Sequence, residues 1–107
     1  SHLGVASVTG LQGCSTETTS AACGPQSYLP DRSVASLAKH FAAYGAAAGG
    51  MNGGAAAISN RTLHEIFLRP WKALAKVGVR AIMPSHNTVL DYPAHASTWL
   101  IEGTLRK

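Results

Sequence analysis

Residues Val34–Phe41 read VASLAKHF, and residues Val79–Met83 read VRAIM. The first is a short apolar run that closes on Lys39-His40-Phe41; its lack of clean alternation predicts a strand covered on both faces, as in a parallel sheet. The second predicts another strand, and it ends in Pro84 and the polar triplet Ser85-His86-Asn87. Between them lies the strongest helical pattern in the chain. Leu63, Ile66, Phe67, Trp71, Leu74 and Val77 recur at three- and four-residue spacing and mark one apolar face. Ser59 supplies an N-cap and Gly78 a stop, while Pro70 inside the pattern predicts a kink.

Outward from this centre, Leu3, Val5, Ala6, Val8 and Leu11 predict a helix stopped by Gly10 and Gly13. Ala96, Trp99, Leu100 and Leu105 predict a last helix. The order is helix, strand, helix, strand, helix, which implies right-handed crossovers, a parallel sheet and an α/β class. Three stretches are left as loops. Residues 13–32 are polar and broken by Gly24-Pro25 and Leu29-Pro30-Asp31. Residues 42–57 hold eight Ala and five Gly, a low-complexity composition that predicts a long loop without packed structure. Residues 84–93 follow the second strand.

Composition narrows the function classes. At 107 residues the chain is one domain at most and cannot hold a complete (β/α)8 barrel of roughly 250 residues. No apolar run approaches the roughly 18–20 residues of a membrane helix, so no membrane partner is expected. Ser1-His2-Leu3-Gly4 lacks the basic start of a signal peptide, and the sequence reads as a piece of a longer protein. Nine Lys and Arg against five Asp and Glu give a net charge of +4, but the basic residues are scattered and no nucleic-acid partner is expected. Eighteen alanines supply much of the 46% apolar share. Alanine buries little area at about 25 cal/mol per Å², so the segment alone has little to offset the entropy of ordering its backbone. A disulfide between Cys14 and Cys23 and a pair of free thiols both fit the Ser/Thr-rich stretch around them.

In parallel α/β folds ligands bind at the carboxyl ends of strands, which nominates Lys39-His40 and Ser85-His86-Asn87. An ammonium beside an imidazole can grip several sugar hydroxyls or a carboxylate; a surface Lys and a His satisfied by backbone is the plain alternative. His86 and Asn87 can bind a substrate or a metal, or simply satisfy the turn. His40, His64, His86 and His95 form no His-x-x-x-His or His-x-His pair, so neither a metal nor another cofactor is expected. Asn60-Arg61-Thr62 fits the glycosylation pattern but coincides with a first helical turn, where polar residues are expected anyway.

Four blocks together carry a resemblance: VASVTGLQG (Val5–Gly13), VASLAKHFAAYG (Val34–Gly45), SNRTLHEIFLRPW (Ser59–Trp71) and Gly78–Leu105. In order and spacing they resemble the middle of the catalytic barrel of glycoside hydrolase family three, with only the loop over 13–32 lacking a clear counterpart. The resemblance implies a partial (β/α)8 TIM barrel, about two βα repeats with a preceding helix. Residues 1–107 would then be a central fragment of the family's N-terminal domain, completed by the remainder of a parent chain. It implies a retaining, exo-acting β-glycosidase, β-glucosidase-like, acting on a terminal β-linked sugar, with a secreted or extracellular location favoured. By the same resemblance Lys39 and His40 match the pair that binds sugar hydroxyls, and Met83 matches a pocket-lining Met. The family pattern Met-x-Ser-Tyr/Phe-Asn stands here as Met83-Pro84-Ser85-His86-Asn87, so His86 replaces an aromatic residue near the nucleophile and is a further candidate for substrate binding. Arg61 and Glu65 match helix positions that pair at i, i+4.

Retaining glycosidases use two carboxyl groups about 5–5.5 Å apart. The carboxylates here are Glu17, Asp31, Glu65, Asp91 and Glu102, of which only Asp91 follows a strand end, where the family has a turn residue. The resemblance places the nucleophile on the next strand and the acid/base further on, so no catalytic residue is expected in this chain. Two alternatives stand beside this reading: a non-catalytic carbohydrate-binding relative, and a metal-dependent barrel hydrolase using His40 and His86.

Overall fold

The structure, a computed structural model, describes residues 2–13 and 33–106. The predicted loop over 13–32, apart from Gly13, and both cysteines lie outside the described residues. The chain is mixed α/β and divides into two compact units, Ser1–Ala38 with Arg69–Ile82, and Lys39–Leu68 with Met83–Lys107. Strands β1 (Leu37–Phe41) and β3 (Ala81–Pro84) pair with one another. Ala81 N–H donates to Ser36 C=O at one end and Ser85 N–H to Phe41 C=O at the other, so the two run parallel.

In the first unit, helix α1 (His2–Leu11) packs on helix α3 (Arg69–Lys76). Gly4 lies where a Cβ would touch Leu74 Cδ2 at 3.6 Å, and Val8 is buried. Gly78, at φ 73°, closes α3 with its N–H on Ala75 C=O, while Val79 N–H reaches Leu74 C=O, so the predicted stop is realised as a left-handed C-terminal cap. Gln12, buried just past α1, was not singled out by its sequence context. Its Nε2 donates to Gly78 C=O at 3.0 Å and its Oε1 accepts from Ser36 N–H at 3.3 Å.

In the second unit, strand β2 (Ala55–Ala56) pairs in parallel with β4 (Thr88–Val89), and β4 pairs antiparallel with β5 (Tyr92–Pro93). Residues 84–93 are therefore not the simple loop expected but contain a hairpin. The Ala/Gly stretch is ordered too. It makes two 3-10 turns, Tyr44–Ala46 and Ala48–Gly50, and Ala47 bridges to Ala56. Ala42, Ala43 and Ala56 are buried, because methyl side chains let backbones approach closely. A Cβ on Gly54 would lie 2.9 Å from Ala48 O and 3.1 Å from Met51 O, so only glycine fits there.

Ser59 caps helix α2 (Asn60–Thr62), its Oγ accepting from Thr62 N–H at 3.1 Å. The helix then widens into a π-helical turn over Leu63–Phe67, closed by Leu68 N–H on Leu63 C=O. The single kinked helix expected from the periodicity is thus replaced by two. The α2 segment closes at Leu68 and α3 starts afresh at Arg69, with Pro70 in its first turn, where a missing N–H costs nothing. The i to i+5 spacing of the π turn buries Leu68 along with Leu63, and leaves Ile66 62% exposed although the periodic stripe included it. The last helix, α4 (Thr98–Leu100), also passes into a π-helical turn, over Ile101–Leu105, with Leu100 in the core.

Strand β1 starts at Leu37 rather than Val34, and it is not covered on both faces in this chain. Leu37 is 48% exposed and Lys39 is exposed, while Phe41 at the end of the strand is buried.

Candidate functional site

The second unit carries all four residues nominated for binding. Lys39 and His40 end β1, Met83 lies in β3, and His86 follows β3 by two residues. Phe41, almost wholly buried, roots the end of β1 in the core. The peptide bonds Lys39–His40 and Phe41–Ala42 are both cis, and Ala43 follows at φ 60°.

Three hydrogen bonds stitch this turn to the end of β3. Ser85 N–H donates to Phe41 C=O at 2.6 Å, Ser85 Oγ to Ala42 C=O at 3.1 Å, and Asn87 Nδ2 to the same Ala42 oxygen at 3.3 Å. Ser85 and Asn87 are fully buried, while His86 between them is exposed. Of the roles open to Asn87 from its sequence, the hydrogen bonds fit the turn: its Nδ2 donates to the backbone carbonyls of Ala42 and Thr88. The result brings the ends of β1 and β3 side by side, with Lys39 and His40 on one and Met83 and His86 on the other.

Each side chain offers distinct chemistry. Among the described residues Lys39 makes no ion pair or hydrogen bond, so its ammonium keeps three donors for a ligand. His40 is half-buried, its ring 4.8 Å from that of Tyr44 and tilted by 43°. Met83 is 41% exposed and adds a polarisable apolar surface. His86 packs against His95, with ring centroids 5.7 Å apart and planes at 67°. Tyr44 and His95 touch the nominated residues and were not assigned to the site from sequence; Tyr44 stands four residues after His40, but the partnership needs the intervening turn.

Carboxylates are placed elsewhere. Glu65 is held by Arg61 at 2.9 Å and Glu102 by Arg106 at 3.1 Å, both as exposed helical pairs, which realises the expected Arg61–Glu65 pairing. Asp91 sits at the tip of the β4–β5 hairpin at φ 67°. Glu17 and Asp31 lie outside the described residues. Among the described residues no three His, Cys, Asp or Glu side chains gather into a metal-binding group, and no helix is long and apolar enough to cross a membrane.

In parallel α/β folds generally, ligands bind at the carboxyl ends of strands. Residues 1–107 match the family model for the glycosyl hydrolase family 3 N-terminal domain, and the chain belongs to that family. It is similar to a β-xylosidase of Formosa agariphila, 36% identical over 107 residues, covering 99% of this chain and 13% of that protein. A periplasmic β-glucosidase of Salmonella typhimurium is 36% identical over 74 residues, covering 69% of this chain and 10% of the relative. Among solved structures, a β-glucosidase from Listeria innocua in complex with glucose superposes with a TM-score of 0.81 at 34% identity, covering 99% of this chain and 14% of that one. A β-glucosidase from Erythrobacter marinus superposes with a TM-score of 0.80, also at 34% identity, over 97% of this chain and 13% of that one. The chain therefore spans only a small part of the length of the relatives it matches.

Proposed function

We propose that this chain is a central segment of the N-terminal barrel of a retaining, exo-acting β-glycosidase, contributing about two βα repeats and a preceding helix to a (β/α)8 barrel. Its substrate is a terminal β-linked sugar of the glucose or xylose kind. Lys39 and His40 hold sugar hydroxyls, Met83 lines the pocket, and His86 takes the place of an aromatic wall. The nucleophile and the acid/base come from the rest of the parent chain, since the described carboxylates are tied into helical ion pairs or sit at a hairpin tip.

The observation that carries this reading is the buried Ser85–Asn87 clamp on Ala42, which sets the Lys39-His40 end of β1 beside the Met83–His86 end of β3. A cation with three donors beside an imidazole at one strand end suits a ligand dense in hydroxyl groups. The periplasmic location of one relative supports export of the parent.

The test is kinetic. In the full-length protein containing this segment, Lys39→Ala or His40→Ala lowers kcat/KM on an aryl β-glucoside or β-xyloside by about 10²-fold, through lost charge-assisted hydrogen bonds. Unchanged values for both variants remove the pair from the pocket. Sugar binding without any turnover in the full-length protein would select the non-catalytic relative instead.

A further inference from the structure

His86 follows β3 by two residues, and His95 lies in the 3-10 turn Ala94–Ala96 that follows β5. The β4–β5 register pairs Val89 with Tyr92 and Thr88 with Pro93. Ala94 N–H then donates to Asn87 C=O at 3.0 Å, extending the pairing outward by one residue. Beyond it the chain leaves the ladder in the Ala94–Ala96 turn, where the His95 ring meets that of His86. Asn87 and Ala94 are fully buried, so the backbone beneath both imidazoles is fixed. The rings meet 5.7 Å apart at 67°, an edge-to-face contact in the range where such pairs attract.

We propose that His95 is a positioning residue: it holds the His86 imidazole in one orientation and so decides which ring atoms face the bound sugar. An imidazole differs from the Tyr or Phe it replaces in carrying two nitrogens of unlike character, one donor and one acceptor when neutral. A phenyl ring presents the same face after a half-turn, whereas a half-turn of imidazole exchanges nitrogen for carbon at the site. An exposed ring at the end of a strand turns freely unless something holds it. The edge-to-face contact with His95 supplies that hold. His95 touches His86 and acts through it. This assignment rests on the reading of His86 as a substrate-binding residue.

A double-mutant cycle in the full-length protein tests both layers separately, using His86→Ala, His95→Ala, the double variant and His95→Phe. His95→Ala is expected to raise KM for an aryl β-glucoside about 2–10-fold, the worth of one edge-to-face pair, with kcat within about two-fold. His95→Phe, which keeps a ring edge or face against His86, restores KM. In the His86→Ala background, His95→Ala adds nothing further. An equal KM effect of His95→Ala with and without His86, or no restoration by His95→Phe, overturns the proposal. Urea unfolding of the same variants reads the ring contact without reference to sugar. If His86→Ala leaves KM and kcat unchanged while the unfolding cycle is non-additive, the pocket reading of His86 fails although the ring contact is real. If the unfolding cycle is additive, the contact itself is refuted.

Discussion

The hydroxyl of Ser85 donates to the carbonyl of Ala42 at 3.1 Å, and Asn87 Nδ2 reaches the same oxygen at 3.3 Å. One buried acceptor at the end of β1 thus has two donors from the end of β3. Ser85→Ala leaves the acceptor satisfied and is expected to cost about 0.5–1.5 kcal/mol, the net worth of a hydrogen bond. Combining it with Asn87→Ala orphans the carbonyl, and the pair should cost more than the sum of the singles. Urea denaturation of the full-length protein carrying each variant checks this.

Gln12 ties three places together: the end of α1, the cap of α3 at Gly78 and the entry to β1 at Ser36. Gln12→Leu fills similar volume but orphans a buried carbonyl and a buried N–H. The expected loss is about 2–4 kcal/mol, from two unsatisfied groups. Gln12→Glu cannot donate to Gly78 once ionised. Burial raises the folded-state pKa of such a carboxyl above its unfolded value, so that variant is comparatively more stable at pH 4 and loses stability as pH rises toward 7. Thermal unfolding at the two pH values reads the sign.

The tip of the β4–β5 hairpin is a two-residue turn, Leu90-Asp91, with φ of 50° and 67°. Such turns favour Asn-Gly, because a side chain with a Cβ is strained in the left-handed region and leucine gains no compensating hydrogen bond. Leu90→Asn with Asp91→Gly should stabilise the protein by about 1–2 kcal/mol, seen as a raised Tm without loss of sugar binding. A lowered Tm would mean that the Leu90 side chain packs more usefully than its backbone is strained.

Gly54 and Gly45 offer a paired test. A Cβ at Gly54 meets two backbone oxygens at 2.9 and 3.1 Å, whereas at Gly45 nothing lies within 4 Å. Gly54→Ala should destabilise by about 1–3 kcal/mol through forced backbone movement. Gly45→Ala should be neutral or stabilise by up to about 1 kcal/mol, by restricting the unfolded chain. Equal Tm values for the two variants would contradict the tight fold-back of residues 44–56.

The helix–strand order was legible because apolar spacing and caps are local signals: Ser59, Gly78 and the runs into Lys39 and Met83 stand where the sequence puts them. The strand ends nominated by that order are the ones the structure pairs. Other features were not legible. The hairpin was hidden because Leu90-Asp91 lacks the Asn-Gly signature. The order in the Ala/Gly stretch was hidden because alanine carries almost no pattern, while its methyl group permits the Ala47–Ala56 bridge. The clamp on Ala42 was hidden because its donors lie more than forty residues away along the chain.

The π-helical turn at Leu63–Phe67 holds one residue more than an ordinary turn would. Excising a single amino acid there would return the segment to α spacing and swing Leu68 about 100° around the axis, out of the core it shares with Leu63. Point changes on the exposed side of this stretch should pass freely, but length is locked. In homologous chains, gaps and insertions should therefore fall on either side of residues 63–68 and skip the segment itself.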